Sequence, residues 1–129
     1  LGCFLRASWN DGQNETWVFT EIDHTISGGL SLNGQGWNRA ADNIGLATVA
    51  SGISKAHQDY LKAGGKGFIL GDGNLNYGIE HLTELYYSAD LYEQRIFLTG
   101  AYQLIVNPGY NKDREGPVHV LSVRLHASM

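Results

Sequence analysis

Strict alternation of apolar and polar residues limits the shape of this chain more than any other feature. Residues 116–129, GPVHVLSVRLHASM, show it most cleanly. Leu121, Val123, Leu125 and Ala127 are apolar, whereas Ser122, Arg124 and His126 are polar. A period of two puts the two sets on opposite faces of a β-strand. The apolar face then needs a cover: a protein core, a partner, or lipid.

The same alternation recurs along the chain. LGCFLRASWN opens with the mostly apolar Leu1, Cys3, Leu5, Ala7 and Trp9 on one side and the mixed and polar Gly2, Phe4, Arg6, Ser8 and Asn10 on the other. HTISGGLSLNG sets Ile26, Leu30 and Leu32 against Thr25, Ser27, Ser31 and Asn33. Residues 44–54, 79–91 and 95–107 read as further strands, and ETWVFTEI over 15–22 is rich in strand formers. The expected tally is about seven strands in one domain spanning 1–129. Residues 55–63 fit two helical turns closed by Gly64-Gly65. The glycine-crowded stretch to Gly78 that follows is long for a passive connection.

Composition narrows the classes. Only 17% of residues are charged, against ~25% in an ordinary soluble domain, and 17 glycines and seven tyrosines favour strands and turns. A net charge of −4 gives no basic footprint for nucleic acid. The single cysteine, Cys3, rules out an internal disulfide and a cysteine-based zinc site. No run approaches the ~20 apolar residues of a membrane helix, which leaves a membrane β-barrel open, since barrel strands are short and half apolar. The chain starts at Leu1 rather than Met, as expected of a processed protein or a piece of a longer one.

The links sort into two kinds, as in bacterial membrane barrels with short turns at one rim and long loops at the other. The assignment puts 92–95, 10–15 and 34–43 at the short-turn rim and 55–78 and 108–116 at the long-loop rim. The architecture expected is all-β, with antiparallel up-and-down strands of a transmembrane outer-membrane barrel.

Several pieces carry a family resemblance: Trp9-Asn10-Asp11-Gly12, Phe19-Thr20-Glu21-Ile22-Asp23, Gly71-Asp72-Gly73, the set Glu80, Glu84, Tyr86 and Tyr87, Asn107-Pro108, and Arg124-Leu125-His126-Ala127. Together they make the chain resemble the carbohydrate-selective porins of the OprB-like family. That resemblance implies a bacterial outer-membrane barrel of about sixteen strands that passes sugars by diffusion, with this chain as its C-terminal part. Family members finish in an aromatic residue, whereas Ser128-Met129 end this sequence. Seven strands do not enclose a sugar-wide channel, because about eight close on their own side chains. The partners implied are a carbohydrate, outer-membrane lipid, and the remainder of the barrel, from the same full-length chain or from other copies.

A passive sugar and ion channel needs polar lumen groups and charge rather than a nucleophile or cofactor. Alternation puts Arg6, Ser8, Glu80, Glu84, Tyr86, Arg95, Gln103, Ser122, Arg124 and His126 on the inward side. The pore-lining set is Arg6, Glu80, Glu84, Tyr86, Gln103 and Arg124, with the arginines expected to pair with the glutamates. Trp37 and Arg39 are a candidate platform reaching into the lumen. Tyr86 and Tyr87 must face opposite ways, so one of them belongs to the lipid interface.

No catalytic residue and no metal site is expected. No Gly-x-Ser-x-Gly elbow occurs, and His24, His57, His81, His119 and His126 lack metalloprotease spacing. Glu80 and Glu84, about 13 Å apart along one strand, exceed the ~9.5 Å limit of a glycosidase pair. The alternative is a soluble lectin-like β-sandwich or small barrel that binds carbohydrate and packs its apolar faces together inside.

Overall fold

The computed structural model describes residues 1–14, 21–68 and 70–128. Six strands form one antiparallel sheet in chain order: β1 (Gly2–Trp9), β2 (His24–Gly34), β3 (Arg39–Gly52), β4 (Glu80–Tyr92), β5 (Ile96–Val106) and β6 (Val118–Ala127). One helix, α1 (Lys55–Lys62), follows β3. Every strand pairs with its sequence neighbour, as up-and-down topology requires. The outer edges, β1 and β6, have no partner strand among the described residues.

The register carries the alternation across the sheet. Leu30 pairs with Cys3 and with Leu46, Leu46 with Leu85, Leu85 with Tyr102, and Tyr102 with Leu121. That row and its neighbours make one apolar face. Nothing in the described residues covers it: Leu5, Leu121, Val123 and Leu125 are 79%, 83%, 79% and 67% exposed. The second layer that a lectin-like sandwich would place there is absent among the described residues.

Six strands rather than seven are present among the described residues. Most of the strand expected over 15–22 lies outside them. Glu21 and Ile22 belong to no strand, and Trp9 pairs directly with His24 while the Asn10 amide donates to the Asp23 carbonyl. The described residues 10–14 and 21–23 therefore lie at the rim that also carries 53–79 and 107–117. The expected place of 10–15 at the short-turn rim is corrected accordingly. The link expected over 34–43 shrinks to 35–38, since β3 already begins at Arg39. Asn38, at φ 60°, makes the left-handed corner of this turn.

The other short link is a type I′ turn. Glu93 and Gln94 both have positive φ, and the Arg95 amide donates to the Tyr92 carbonyl at 2.7 Å. Arg95 therefore sits in the turn and not on the inward face. The Asp90 carboxylate accepts from the Gln94 and Tyr92 amides and fixes this corner without glycine.

Buried apolar side chains are found in the long links, not in the wall. Ile53, Leu61, Leu70 and Tyr110 form the core, with Ile22, Leu75 and Tyr77 against it. All three long links contribute, so they fold on one another above one rim. Helix α1 forms where expected. Ser54 caps it by accepting from the His57 amide at 3.1 Å, and Gly64 at φ 94° follows its end.

Candidate functional site

The face opposite the apolar one is polar and gathers the residues singled out from alternation. One row runs Phe4, Gly29, Ala47, Glu84, Gln103 and Val120. The next runs Gly2, Ser31, Gly45, Tyr86, Ala101 and Ser122. Arg6 pairs with Ser27 on β2, Glu80 with Ser51 on β3, and Arg124 with Thr99 on β5, all on this same face.

Two aromatic rings are set into the polar face. A Cβ on Gly29 would lie 2.5 Å from the Phe4 ring, and one on Gly45 would lie 2.3 Å from the Tyr86 ring. Each ring thus lies down on bare backbone. Tyr86 Oη also donates to Asn43 Oδ1 at 2.7 Å. A cleft of about 250 Å³ lies between the two rings, floored by Gly29, Ser31 and Ala47. Hydroxyl and ring groups around such a floor suit the mixed polar and C–H surface of a sugar.

The charged groups do not pair as expected. Gln103 Nε2 donates to Glu84, and Glu80 Oε2 accepts from the Gly109 amide at 2.7 Å. Arg6 and Arg124 stand on the outermost strands, remote in register from β4, and make no ion pair among the described residues.

Trp37 and Arg39 lie elsewhere than over the polar face. Trp37 Nε1 donates to Tyr87 Oη at 3.2 Å, and Tyr87 pairs with Ile44 and Gly100 in the apolar rows. Arg39 and Tyr87 both donate to Asp42, and Arg39 reaches the Asp90 carbonyl at 2.8 Å. The group ties the 35–38 turn to the wall on its apolar side. That is where a membrane protein keeps interfacial aromatics.

The loop cluster contains buried polar residues that sequence reasoning passed over. Glu21 accepts from the Phe68 and Leu70 amides at 2.8 and 2.6 Å. Asp23 Oδ2 accepts from the Ser54 amide at 2.7 Å and meets His57 Nδ1 at 3.1 Å. Asp72 receives Asn111 Nδ2 and Arg114 Nε at 3.0 and 2.8 Å, clamping the 107–117 link to the 53–79 link. Burial, with Glu80 next, pushes the Tyr110 phenol well above its ordinary value. The usable sequence signal was local: a Ser ahead of a helix with its first free amide on a histidine. No group of three metal-ligating side chains occurs among the described residues.

The hydrogen bond from Arg114, then that from Asn111, holds the Asp72 carboxyl below its ordinary 3.8. The clamp is therefore fully present above that value and is lost as pH falls through the lowered one. With side chains 30% and 42% exposed it contributes under about 1 kcal/mol. Between about pH 6 and about pH 3, protection of the inter-link Gly78 and Lys112 amides, corrected for intrinsic exchange, should fall modestly. Asp72→Asn should remove that pH dependence; an unchanged profile would show the clamp to be inert.

A family model described as carbohydrate-selective porin, OprB family, matches residues 1–129, the whole chain. The chain belongs to this family. No curated protein and no solved structure matches it. OprB-family membership agrees with an antiparallel sheet that has one lipid-suited face, and it implies a transport channel of the bacterial outer membrane rather than an enzyme. No helix among the described residues is long and apolar enough to cross a membrane, which says nothing of strands.

Proposed function

We propose that this chain forms part of the wall of an outer-membrane pore through which carbohydrates diffuse, with the apolar face in lipid and the polar face in the water-filled lumen. One observation carries the reading: Leu121, Val123 and Leu125 stand exposed on one side while Arg6, Glu80, Glu84, Tyr86, Gln103 and Arg124 share the other. A soluble protein rarely leaves so continuous an apolar surface bare. Strands of 11 to 14 residues in β2 to β5 also meet the ~9–11 residues needed to span a bilayer.

Backbone groups in lipid have no water to bond, so the free edges of β1 and β6 require further strands. Six strands are too few for a sugar-wide lumen. The reading supplies those strands from the full-length chain or from other copies. Within the lumen, Arg6, Glu80, Glu84, Tyr86, Gln103 and Arg124 act as pore-lining residues. Tyr86 and Phe4 offer faces to sugar C–H groups, Gln103 a neutral amide, and the charges set ion preference.

Liposome swelling by the full-length protein tests the reading. Swelling in glucose is expected, and its absence with every sugar would end the proposal. In planar bilayers, Glu84→Gln should shift the reversal potential toward anions, by removing a lumen negative charge that the Gln103 amide does not neutralise. An unchanged potential would put Glu84 outside the conduction path.

A further inference from the structure

The apolar face is not uniform along its height. Three strands start at the long-loop rim, and each opens with a histidine on that face. His24 is the first residue of β2, His81 the second of β4 and His119 the second of β6. The register fixes the face: His24 pairs with Trp9, His81 with Ala50 and Val106, and His119 with Leu104. At the opposite rim the same strands end in Gly34, Tyr92 and Ala127. Successive histidines are two strands apart, about 10 Å, which is too far to share one metal ion.

His119 is exposed, and its surroundings are built. Tyr102 Oη, from the next row down, meets His119 Nδ1 at 2.6 Å, and the two rings stack with centroids 6.0 Å apart. A phenol donating to Nδ1 puts the ring proton on Nε2, which is left to donate to another acceptor. Below this pair the face is hollow. Gly100 stands between Tyr87 and Val123 in register, and a Cβ on it would meet nothing within 4 Å. The trough has a volume of about 480 Å³, and its walls include Leu85, Tyr87, Tyr102, Leu121 and Val123. From His119 to Val123 is about 13 Å along β6. No carboxylate of β4, β5 or β6 shares this face with His119.

We propose that this side of the wall binds one phosphate-bearing lipid, with a phosphate oxygen accepting from His119 Nε2 and an acyl chain lying in the trough over Gly100. Tyr102 joins the two halves of the site, its hydroxyl on the imidazole and its ring in the trough wall. A protein side chain would fill the trough without using the histidine above it, whereas a lipid uses both. The inference rests on the pore reading for placing the apolar face in a bilayer.

Native mass spectrometry of the full-length protein in dodecyl maltoside, titrated with dioleoyl phosphatidic acid, tests this. Dioleoylglycerol, the same chains without phosphate, and inorganic phosphate are the comparisons. A saturable phosphatidic acid adduct is expected, retained far better than dioleoylglycerol and not displaced by equimolar inorganic phosphate. His119→Leu should raise its half-saturating concentration about fivefold, the share of one basic group near a lipid surface. Gly100→Leu should abolish the adduct by filling the trough. His126→Leu, on the polar face opposite, should leave it unchanged. Absence of a saturable adduct, equal retention of dioleoylglycerol, displacement by inorganic phosphate, or indifference to both His119→Leu and Gly100→Leu would overturn the proposal. So would a dimer that Gly100→Leu dissociates, since the trough would then seat a second copy. A urea midpoint near that of the wild type shows that Gly100→Leu folds; if it does not fold, His119→Leu carries the test. An adduct without glucose swelling keeps the lipid site and ends the pore, and swelling without an adduct does the reverse.

Discussion

Val123→Arg should cost about 2–4 kcal/mol of stability in a bilayer, the price of a cation at the midplane of a barrel's lipid face. Val123 lies mid-strand in β6, is 79% exposed, and pairs with Gly100, which offers no side chain to shelter a guanidinium. Ser122→Arg, one residue away on the polar face, should cost much less because that face is wet. Urea unfolding of the full-length protein from lipid vesicles, followed by tryptophan fluorescence, reads both. A much lower midpoint for Val123→Arg alone supports the lipid assignment. Equal midpoints for the two variants would mean that hydrocarbon does not lie against the apolar face. A larger loss at Ser122 would mean that the faces have been assigned backwards.

That contrast rests on information legible in the sequence, because strand faces follow from period two without knowledge of the neighbours. Leu121, Val123 and Leu125 needed only their own strand to be sorted from Ser122 and Arg124. The boundary of β3 was harder to read. Its first residues, Arg39 to Asn43, alternate poorly because Arg39 and Asp42 serve the rim, where Tyr87 and Asp90 draw them into hydrogen bonds. Of the strand expected over 15–22 only Glu21 and Ile22 are described, and neither lies in a strand. Ile22 is apolar because it packs on the loop core, not because it faces lipid.

The pore-lining side was legible as a set but not as a network. Alternation placed Glu84 and Gln103 on one face, yet their contact depends on the β4–β5 register, which no local pattern specifies. The same gap hid Trp37, whose partner Tyr87 is 50 residues away. Burial of Glu21 and Asp23 was least legible of all. Carboxylates are ordinarily exposed, and only the folded links bring backbone amides to them.

Glu21 is the position where that hidden layer has the largest expected consequence. Its carboxylate is 4% exposed and accepts two amides, Phe68 and Leu70, from a link more than 40 residues away. The approach is so close that a Cβ on Gly67 would lie 1.7 Å from Glu21 Oε1. Hydrogen bonds to a charged acceptor contribute about 1.5–3 kcal/mol each, and so little exposure leaves little solvent screening. Glu21→Ala should therefore release the 66–70 stretch at a local cost of about 3–5 kcal/mol. Amide exchange at Phe68 and Leu70 should accelerate on the order of 10²–10⁴-fold. Gly67→Ala, which drives a methyl into the same carboxylate, should act in the same direction. The wall has its own ladder of strand pairs, so the urea midpoint of the full-length protein should stay near that of the wild type. Unchanged exchange at Phe68 and Leu70 would remove Glu21 as the anchor of the link. A midpoint that falls in step with the exchange would instead make wall and loop cluster a single cooperative unit, with closure over the rim coupled to strand pairing below it.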